Sequence, residues 1–124
     1  MTEQFTLGEM HFEYDPDKNE ANIKKHGLSF KSAARVFFDY DRIEEPDYDN
    51  ELHELRYDTI GDTSSGNIAI GRIGMSVDEP DAILFVVYTE RTEKDESGHV
   101  YDVTRLISAR KATSFERGLY YGKY

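Results

Sequence analysis

Three arginines in the second half of the chain are the residues best suited to bind a phosphate group: Arg91, Arg105 and Arg110. A guanidinium stays charged at neutral pH, and its planar donors match two phosphate oxygens at once. Arg105 stands between Thr104 and Leu106 in a segment of strand character, where a charge without a partner would be costly to bury. A phosphate contact is the favoured role for Arg105, and a salt bridge across the sheet is the alternative. Arg91 follows an apolar run at the expected end of a strand, where functional side chains often emerge.

Glu54 and Arg56 form a second candidate pair. They lie two residues apart in a segment that alternates polar and apolar residues, so on a strand both side chains face the same side. Such a pair can act as a proton acceptor beside a phosphate clamp. It can equally be an exposed ion pair, which contributes little to stability. The sequence leaves both interpretations open.

Arg105 and Arg110 can share a site only if the strand that carries them is interrupted. They are an odd number of residues apart, which places them on opposite faces of a regular strand. The strand must therefore end or bulge between them. Thr113 and Glu116 have the spacing of a capping box, so a helix begins there. This predicts that the strand ends near Ala109 and that Arg110 projects from the strand-to-helix corner.

Three further basic residues are candidates for substrate binding. Lys25 and His26 are neighbours at the end of a predicted helix, and a phosphate role is favoured for Lys25. His26 could transfer a proton, because its ordinary pKa lies near neutrality. The alternative, capping the helix carbonyls beside Gly27, is slightly favoured. Lys111 is the third candidate, with a solvated side chain as the alternative.

The other residue types argue against metal or covalent chemistry. The chain has no cysteine, so disulfides and thiolate ligands are excluded. Its histidines lack metal-ligand spacing, and the acidic segment 39–51 lacks the pattern of a calcium loop. No serine triad is evident. General acid–base chemistry without a metal or a cofactor is therefore expected.

The charge of the chain is strongly acidic but unevenly distributed. The formal net charge is −10 over 124 residues, which argues against nonspecific binding of nucleic acid. Lys and Arg nevertheless outnumber acids in residues 18–38 and 102–124, whereas acids dominate residues 39–62. If the two basic segments meet, a local anion site can exist on an acidic molecule. Solvated charged faces are the alternative.

Local signals predict helices at both ends of the chain. Asp15 and Pro16 suit a helix start, and Gly27 suits a stop after His26. Ser29 caps a second helix that should reach Asp39. Its apolar stripe is expected to pack in the core; the stripe consists of Phe30, Ala33, Ala34 and Phe37. A short helix should run from Thr113 to about Tyr121.

The remaining segments predict strands at His11–Tyr14, 42–45, 53–61, 68–74, 82–91 and 100–109, with a turn at 62–67. Two helices after the first strand, then a run of strands and a last helix, indicate an α+β fold with helices against an antiparallel sheet. The length suits one domain, over residues 11–124, preceded by a flexible extension at 1–10. Neither a membrane span nor a signal peptide is evident, so a soluble cytoplasmic protein is expected.

Four segments of the chain together resemble the BrnT family of bacterial toxins, over roughly residues 11–121. Tyr14 stands where that family usually has tryptophan. The segments are Phe12-Glu13-Tyr14-Asp15-Pro16 with Lys18 and Asn22; Lys25-His26-Gly27-Leu28-Ser29-Phe30 with Ala33; Glu54-Leu55-Arg56-Tyr57 leading to Ile60-Gly61; and Val87-Tyr88-Thr89-Glu90-Arg91 followed by 105–112.

The resemblance implies a RelE-like fold and metal-independent endoribonuclease activity that inhibits translation and growth. In this reaction the ribose 2′-hydroxyl attacks the adjacent phosphate and expels the 5′-oxygen. Glu54, Arg56, Arg91, Arg105 and Arg110 are then the expected catalytic residues. The resemblance also implies a BrnA-like antitoxin, a DNA-binding protein that caps the toxin and represses their operon, so operator DNA is met only through that partner.

A second function remains open at this stage. The acidic surface could serve a non-catalytic module that binds a basic, DNA-binding antitoxin and takes part in transcriptional autoregulation. Convergence of the candidate arginines with Glu54 would favour the enzyme. Arginines spread over separate surfaces would favour the binding module.

Overall fold

A computed structural model describes residues 1–48, 54–64 and 83–122. Within these residues the chain forms six strands and three α-helices. The strands are β1 (Glu3–Leu7), β2 (Met10–Tyr14), β3 (Ile43–Asp47), β4 (Arg56–Asp62), β5 (Ile83–Lys94) and β6 (Val100–Lys111). The helices are α1 (Pro16–His26), α2 (Phe30–Ala33), which continues as a 3-10 helix (Ala34–Phe38), and α3 (Ser114–Tyr120). The fold is mixed α+β, as the order of the elements predicts.

The six strands form one sheet in the order β1-β2-β6-β5-β4-β3. All neighbouring strands are antiparallel except β2 and β6, which run parallel from His11–Val103 to Glu13–Arg105. The prediction of a purely antiparallel sheet is therefore wrong. Hairpins enforce antiparallel pairing, but β2 and β6 are separated by most of the chain, so no short turn fixes their relative direction.

Residues 1–10 form the edge of the sheet rather than standing apart from it as an extension. β1 pairs with β2 along its whole length, from Glu3–Tyr14 to Leu7–Met10. The ring of Phe5 stacks on that of Phe12, with centroids 5.1 Å apart. Alternation along β1 turns Phe5 and Leu7 toward the core, and this apolar contact explains why the segment joins the sheet.

The predicted helix signals are observed for α1. The Asp15 carboxylate accepts a hydrogen bond from the Asp17 N–H, and Gly27 ends the helix at a φ of 71°. Its N–H donates to the Ile23 carbonyl at 2.8 Å. The second predicted helix is α-helical only as far as Ala33, and the 3-10 helix takes the chain to Phe38.

The apolar stripe of the second helix packs in the core, as predicted. All four of its residues are buried against strand residues such as Phe12, Val86 and Leu106. The strands after it start or end within a few residues of their expected bounds. One prediction about β6 is wrong, because the strand does not end near Ala109 but continues to Lys111. The predicted strand at 68–74 and part of the turn at 62–67 lie outside the described residues.

Buried Asn22 joins α1 to the sheet. Its side-chain N–H groups donate to the carbonyls of Leu28 and Ala109, each at 2.9 Å. Its carbonyl oxygen accepts from the Ala109 N–H at 3.1 Å. One side chain therefore satisfies both backbone groups of a strand residue that the regular ladder leaves to it.

We predict that Asn22→Ala lowers the free energy of unfolding by about 2–4 kcal/mol, because three buried backbone groups lose their partner. Urea denaturation at pH 7 measures the change. Lys24→Ala, at an exposed position of the same helix, should change the free energy by less than about 0.5 kcal/mol. Equal effects of the two substitutions would contradict this role of Asn22.

Candidate active site

A bulge in β6 brings the predicted arginines to one face of the sheet. Val87 of β5 pairs with Ser108, but the next residue, Tyr88, pairs with Leu106, so Ile107 is an extra residue. Because one residue is inserted, Arg105 and Arg110 both lie opposite the core face, although an odd number of residues separates them. Of the two possibilities that the sequence allows, an ending or a bulge, the structure has the bulge.

Arg105 belongs to a row of residues that crosses the sheet. Its partner on β2 is Glu13, and Glu13 in turn pairs with Gln4 of β1. On the other side Arg105 pairs with Thr89 of β5. Continuing the β4–β5 register by one residue places Arg56 opposite Thr89. Arg56 and Arg105 are therefore two strand spacings, or about 10 Å, apart.

Glu13 holds two of the candidate arginines. Its carboxylate accepts from Nε of Arg91 at 3.0 Å and from Nη1 of Arg105 at 3.0 Å, and Nη2 of Arg91 donates to its second oxygen. The Glu13 side chain is 4% exposed, whereas those of Arg91 and Arg105 are 39% and 34% exposed. The buried carboxylate thus fixes two guanidinium groups whose outer edges reach solvent.

This arrangement changes the ionisation of Glu13. The hydrogen bond from Arg91 is the main cause that lowers the pKa of Glu13 to about 2, and Arg105 and Gln4 add to it against the opposing effect of burial. The same contact raises the pKa of Arg91. Glu13 is therefore an anion at neutral pH, and the group of one carboxylate and two guanidiniums keeps a net positive charge.

Glu54 and Arg56 form the pair that their spacing predicts. Nε of Arg56 donates to the Glu54 carboxylate at 2.8 Å, and Glu54 is exposed. The ion pair and the catalytic interpretation are both compatible with this contact. Arg56 also lies opposite Asp47 of β3, so it is flanked by carboxylates on the side away from Arg105.

Arg110 lies at a separate place on the same face. It donates to both oxygens of Glu116 at 2.7 and 2.9 Å, and its guanidinium lies 4.2 Å from the ring centroid of Phe85. Glu116 and Thr113 also complete the capping box of α3. Arg110 therefore fastens α3 to the sheet, and this bond lowers the pKa of Glu116.

Asp58 is a half-buried carboxyl group between these two arginine groups. It follows Arg56 by two residues on β4 and so shares its face. Burial raises the pKa of Asp58 to about 6, with further increases from Asp47 and Glu45 and an opposing effect of Arg110. Its Oδ1 atom is buried and has no hydrogen-bond partner in the described part of the chain.

A groove of 160 Å³ runs beside Asp58. Three elements line it: β3 and β4 with Ile43, Glu45 and Ile60, β5 with Phe85, and α3 with Phe115, Glu116 and Leu119. Most of these side chains are apolar. The groove therefore adjoins the arginine row but differs from it in chemistry.

The other predicted site residues lie apart from the arginines. Lys25 and His26 occupy the last turn of α1. Lys111 is exposed at the end of β6. Among the described residues, none of the three forms a hydrogen bond or an ion pair with Arg91 or Arg105.

Sequence reasoning missed Glu13, Asp58 and Glu116 as members of the site. The missed signal for Glu13 is a charge between the aromatic residues Phe12 and Tyr14 on a strand. Asp58 continues the alternation of Glu54 and Arg56. Among residues 1–48, 54–64 and 83–122, no three His, Cys, Asp or Glu side chains are grouped to hold a metal ion. No helix in these ranges is long and apolar enough to cross a membrane.

Comparison with protein families bears on this geometry. A family model described as the ribonuclease toxin BrnT, of type II toxin-antitoxin systems, matches residues 14–73. Residues 14–73 belong to the BrnT family. The BrnT match includes Glu54, Arg56 and Asp58, whereas Arg91 and Arg105 lie beyond it. No curated protein matches the chain.

Replacing Glu13 tests its role in holding the arginines. A carboxyl whose folded pKa is lowered stabilises the protein above its ordinary pKa near 4.5, and this contribution is lost as the pH falls toward 2. We predict that Glu13→Gln lowers the free energy of unfolding at pH 7 by about 2 kcal/mol, and by less below pH 4. Denaturation across this pH range measures both values. Glu93→Gln, which removes a more exposed partner of Arg91, should change stability by less than about 0.5 kcal/mol. A loss that does not depend on pH would contradict the assigned ionisation.

Asp58 predicts the opposite pH dependence. Its folded pKa is raised, so the protein loses stability as the pH rises from about 4 to 6. Asp58→Asn should therefore raise the free energy of unfolding at pH 8 by about 1–2 kcal/mol, after allowance for partial solvent exposure, and by little at pH 4. Asp102→Asn, at an exposed position of β6, is the matched control. Destabilisation by Asp58→Asn at pH 8 would show that the carboxylate is stabilised in the fold.

Proposed function

We propose that this protein is a metal-independent endoribonuclease toxin with a RelE-like fold, neutralised by a BrnA-like antitoxin. The observation that carries the proposal is the convergence of Arg91 and Arg105 on buried Glu13, on the same sheet face as Arg56. The family description supplies the class of reaction, and the arginine row supplies groups suited to a phosphate.

The arrangement suits the charge that develops during RNA cleavage. When the 2′-hydroxyl oxygen attacks phosphorus, negative charge increases on the phosphate oxygens. Arg91 and Arg105 present exposed guanidinium edges and are fixed from below by Glu13, so they need little reorganisation to meet that charge. Arg56 faces the same phosphate position from β4. Arg110, fastened to Glu116, is proposed to support the site through α3.

The proposed toxin would act on RNA in the cytoplasm and slow translation and growth. Lys25, His26 and Lys111 stay candidates for contacts with RNA beyond the scissile phosphate. The acidic surface suits a basic antitoxin, which would also provide the contact with operator DNA.

A non-catalytic binding module is the second candidate function. One observation favours it: each of the arginines at positions 56, 91, 105 and 110 is already paired with a carboxylate. In that case the protein would bind its partner and take part in transcriptional autoregulation without cutting RNA.

Arg105→Ala tests the enzymatic proposal. We predict that it lowers kcat/KM for RNA cleavage by about 100-fold or more, because a donor to the developing charge is lost. It should also relieve growth arrest when the protein is expressed without its partner. Arg117→Ala, an exposed arginine of α3, should retain both effects of the wild type. Wild-type protein that neither cuts RNA nor slows growth would sink the enzyme and leave the binding module.

A further inference from the structure

On the basis of the proposed ribonuclease function, we propose that Asp58 is the proton acceptor for the attacking 2′-hydroxyl, and that the groove beside it receives the adjoining nucleobase. Glu54, which the sequence favours for the proton-accepting role, is instead a partner of Arg56. The assignment rests on the position of Asp58, on its surroundings and on the shape of the groove.

Asp58 lies next to the proposed phosphate position. Arg56 and Asp58 are alternate residues of β4, so their side chains share a face and are separated by about 6.8 Å along the strand. Ile60, the next residue on this face, lines the groove. Phosphate, hydroxyl and base can therefore lie over successive residues of one strand, in the order Arg56, Asp58, Ile60.

The carboxylates around the arginines differ in their ability to accept a proton. Glu13, Glu54 and Glu116 each accept a hydrogen bond from an arginine, which favours their charged form. Asp58 has a buried oxygen without a hydrogen-bond partner among the described residues. A carboxyl in this state gains a hydrogen bond when a hydroxyl group approaches it.

The charged groups that face Asp58 adjust it for this role. Glu45 and Asp47 face it from β3 and Glu116 from α3, whereas Arg110 faces it from β6. Together with burial they bring the pKa of Asp58 to about 6, near the pH at which a general base works best. The same carboxylates disfavour a phosphate on their side and so direct it toward Arg105.

The groove is suited to a flat, apolar group. Ile60 and Phe85 lie on the sheet, and Phe115 and Leu119 project from α3. Phe115 is 60% exposed, so its ring is accessible to a base that enters from solvent. Stacking of a base on an aromatic side chain tolerates all four bases, so the groove orients the nucleoside more than it selects a sequence.

The proposed step is a transesterification. Asp58 takes the proton of the 2′-hydroxyl, the 2′-oxygen forms a bond to phosphorus, and the bond between phosphorus and the 5′-oxygen breaks. The leaving oxygen takes a proton from solvent water. The products are a 2′,3′-cyclic phosphate and a 5′-hydroxyl end, and Asp58 returns its proton to solvent.

Asp58→Asn in the full chain tests the assignment, with total bacterial RNA as substrate and Asp102→Asn as control. In the wild type the single-turnover rate should rise with pH through about 6. Asp58→Asn should lower the plateau rate by roughly 100-fold or more and remove this rise. An oligonucleotide with 2′-deoxyribose throughout should bind wild type and Asp58→Asn with equal affinity, because Asp58 contacts only the 2′-hydroxyl.

The outcomes separate this assignment from the proposed function. RNA cleavage by Asp58→Asn at the wild-type rate, with the same pH dependence, would overturn the role of Asp58 and leave the ribonuclease intact. A slower rate with the pH rise retained would also overturn it, since another group would then be the acceptor. Intact RNA with the wild-type protein would overturn both proposals.

Discussion

The bulge at Ile107 is the constraint on which the rest of the site depends. β6 lies in the middle of the sheet and must supply Leu106 and Ala109 to the core and Arg105 and Arg110 to the opposite face. A regular strand cannot do both, because one residue of displacement exchanges the two faces. The inserted residue corrects the alternation and allows one strand to serve packing and charge together.

The charges of the open face explain how a strongly acidic chain can carry a cation site. Glu13 is buried beneath two arginines, and its low pKa keeps it ionised, so it orients both guanidiniums without cancelling their charge. The acidic residues of β3 lie at the other edge of the sheet, beyond Arg56. The net charge of the chain therefore says little about this face, because position decides the local field.

Local rules predict the parts of the fold that depend on neighbours in sequence. The caps of α1 and the capping box of α3 follow from residue types within one turn. The parallel pairing of β2 with β6 and the role of Glu13 depend on which strands meet, and no short sequence pattern encodes that choice. The alternation of residues shows that β6 must be interrupted if both arginines share a face. The start of a helix at Thr113 does not decide where the strand ends, and the strand in fact continues to Lys111.

The central claim is that phosphate meets the guanidiniums that Glu13 holds. Side-chain Nε–Hε signals of arginine, recorded by NMR during titration with a 2′-deoxy oligonucleotide, test this most directly. The account predicts shifts at Arg91, Arg105 and Arg56, with the signal of Arg117 unchanged. Shifts confined to other residues, or the absence of any shift at Arg91 and Arg105 while the oligonucleotide binds, would contradict it.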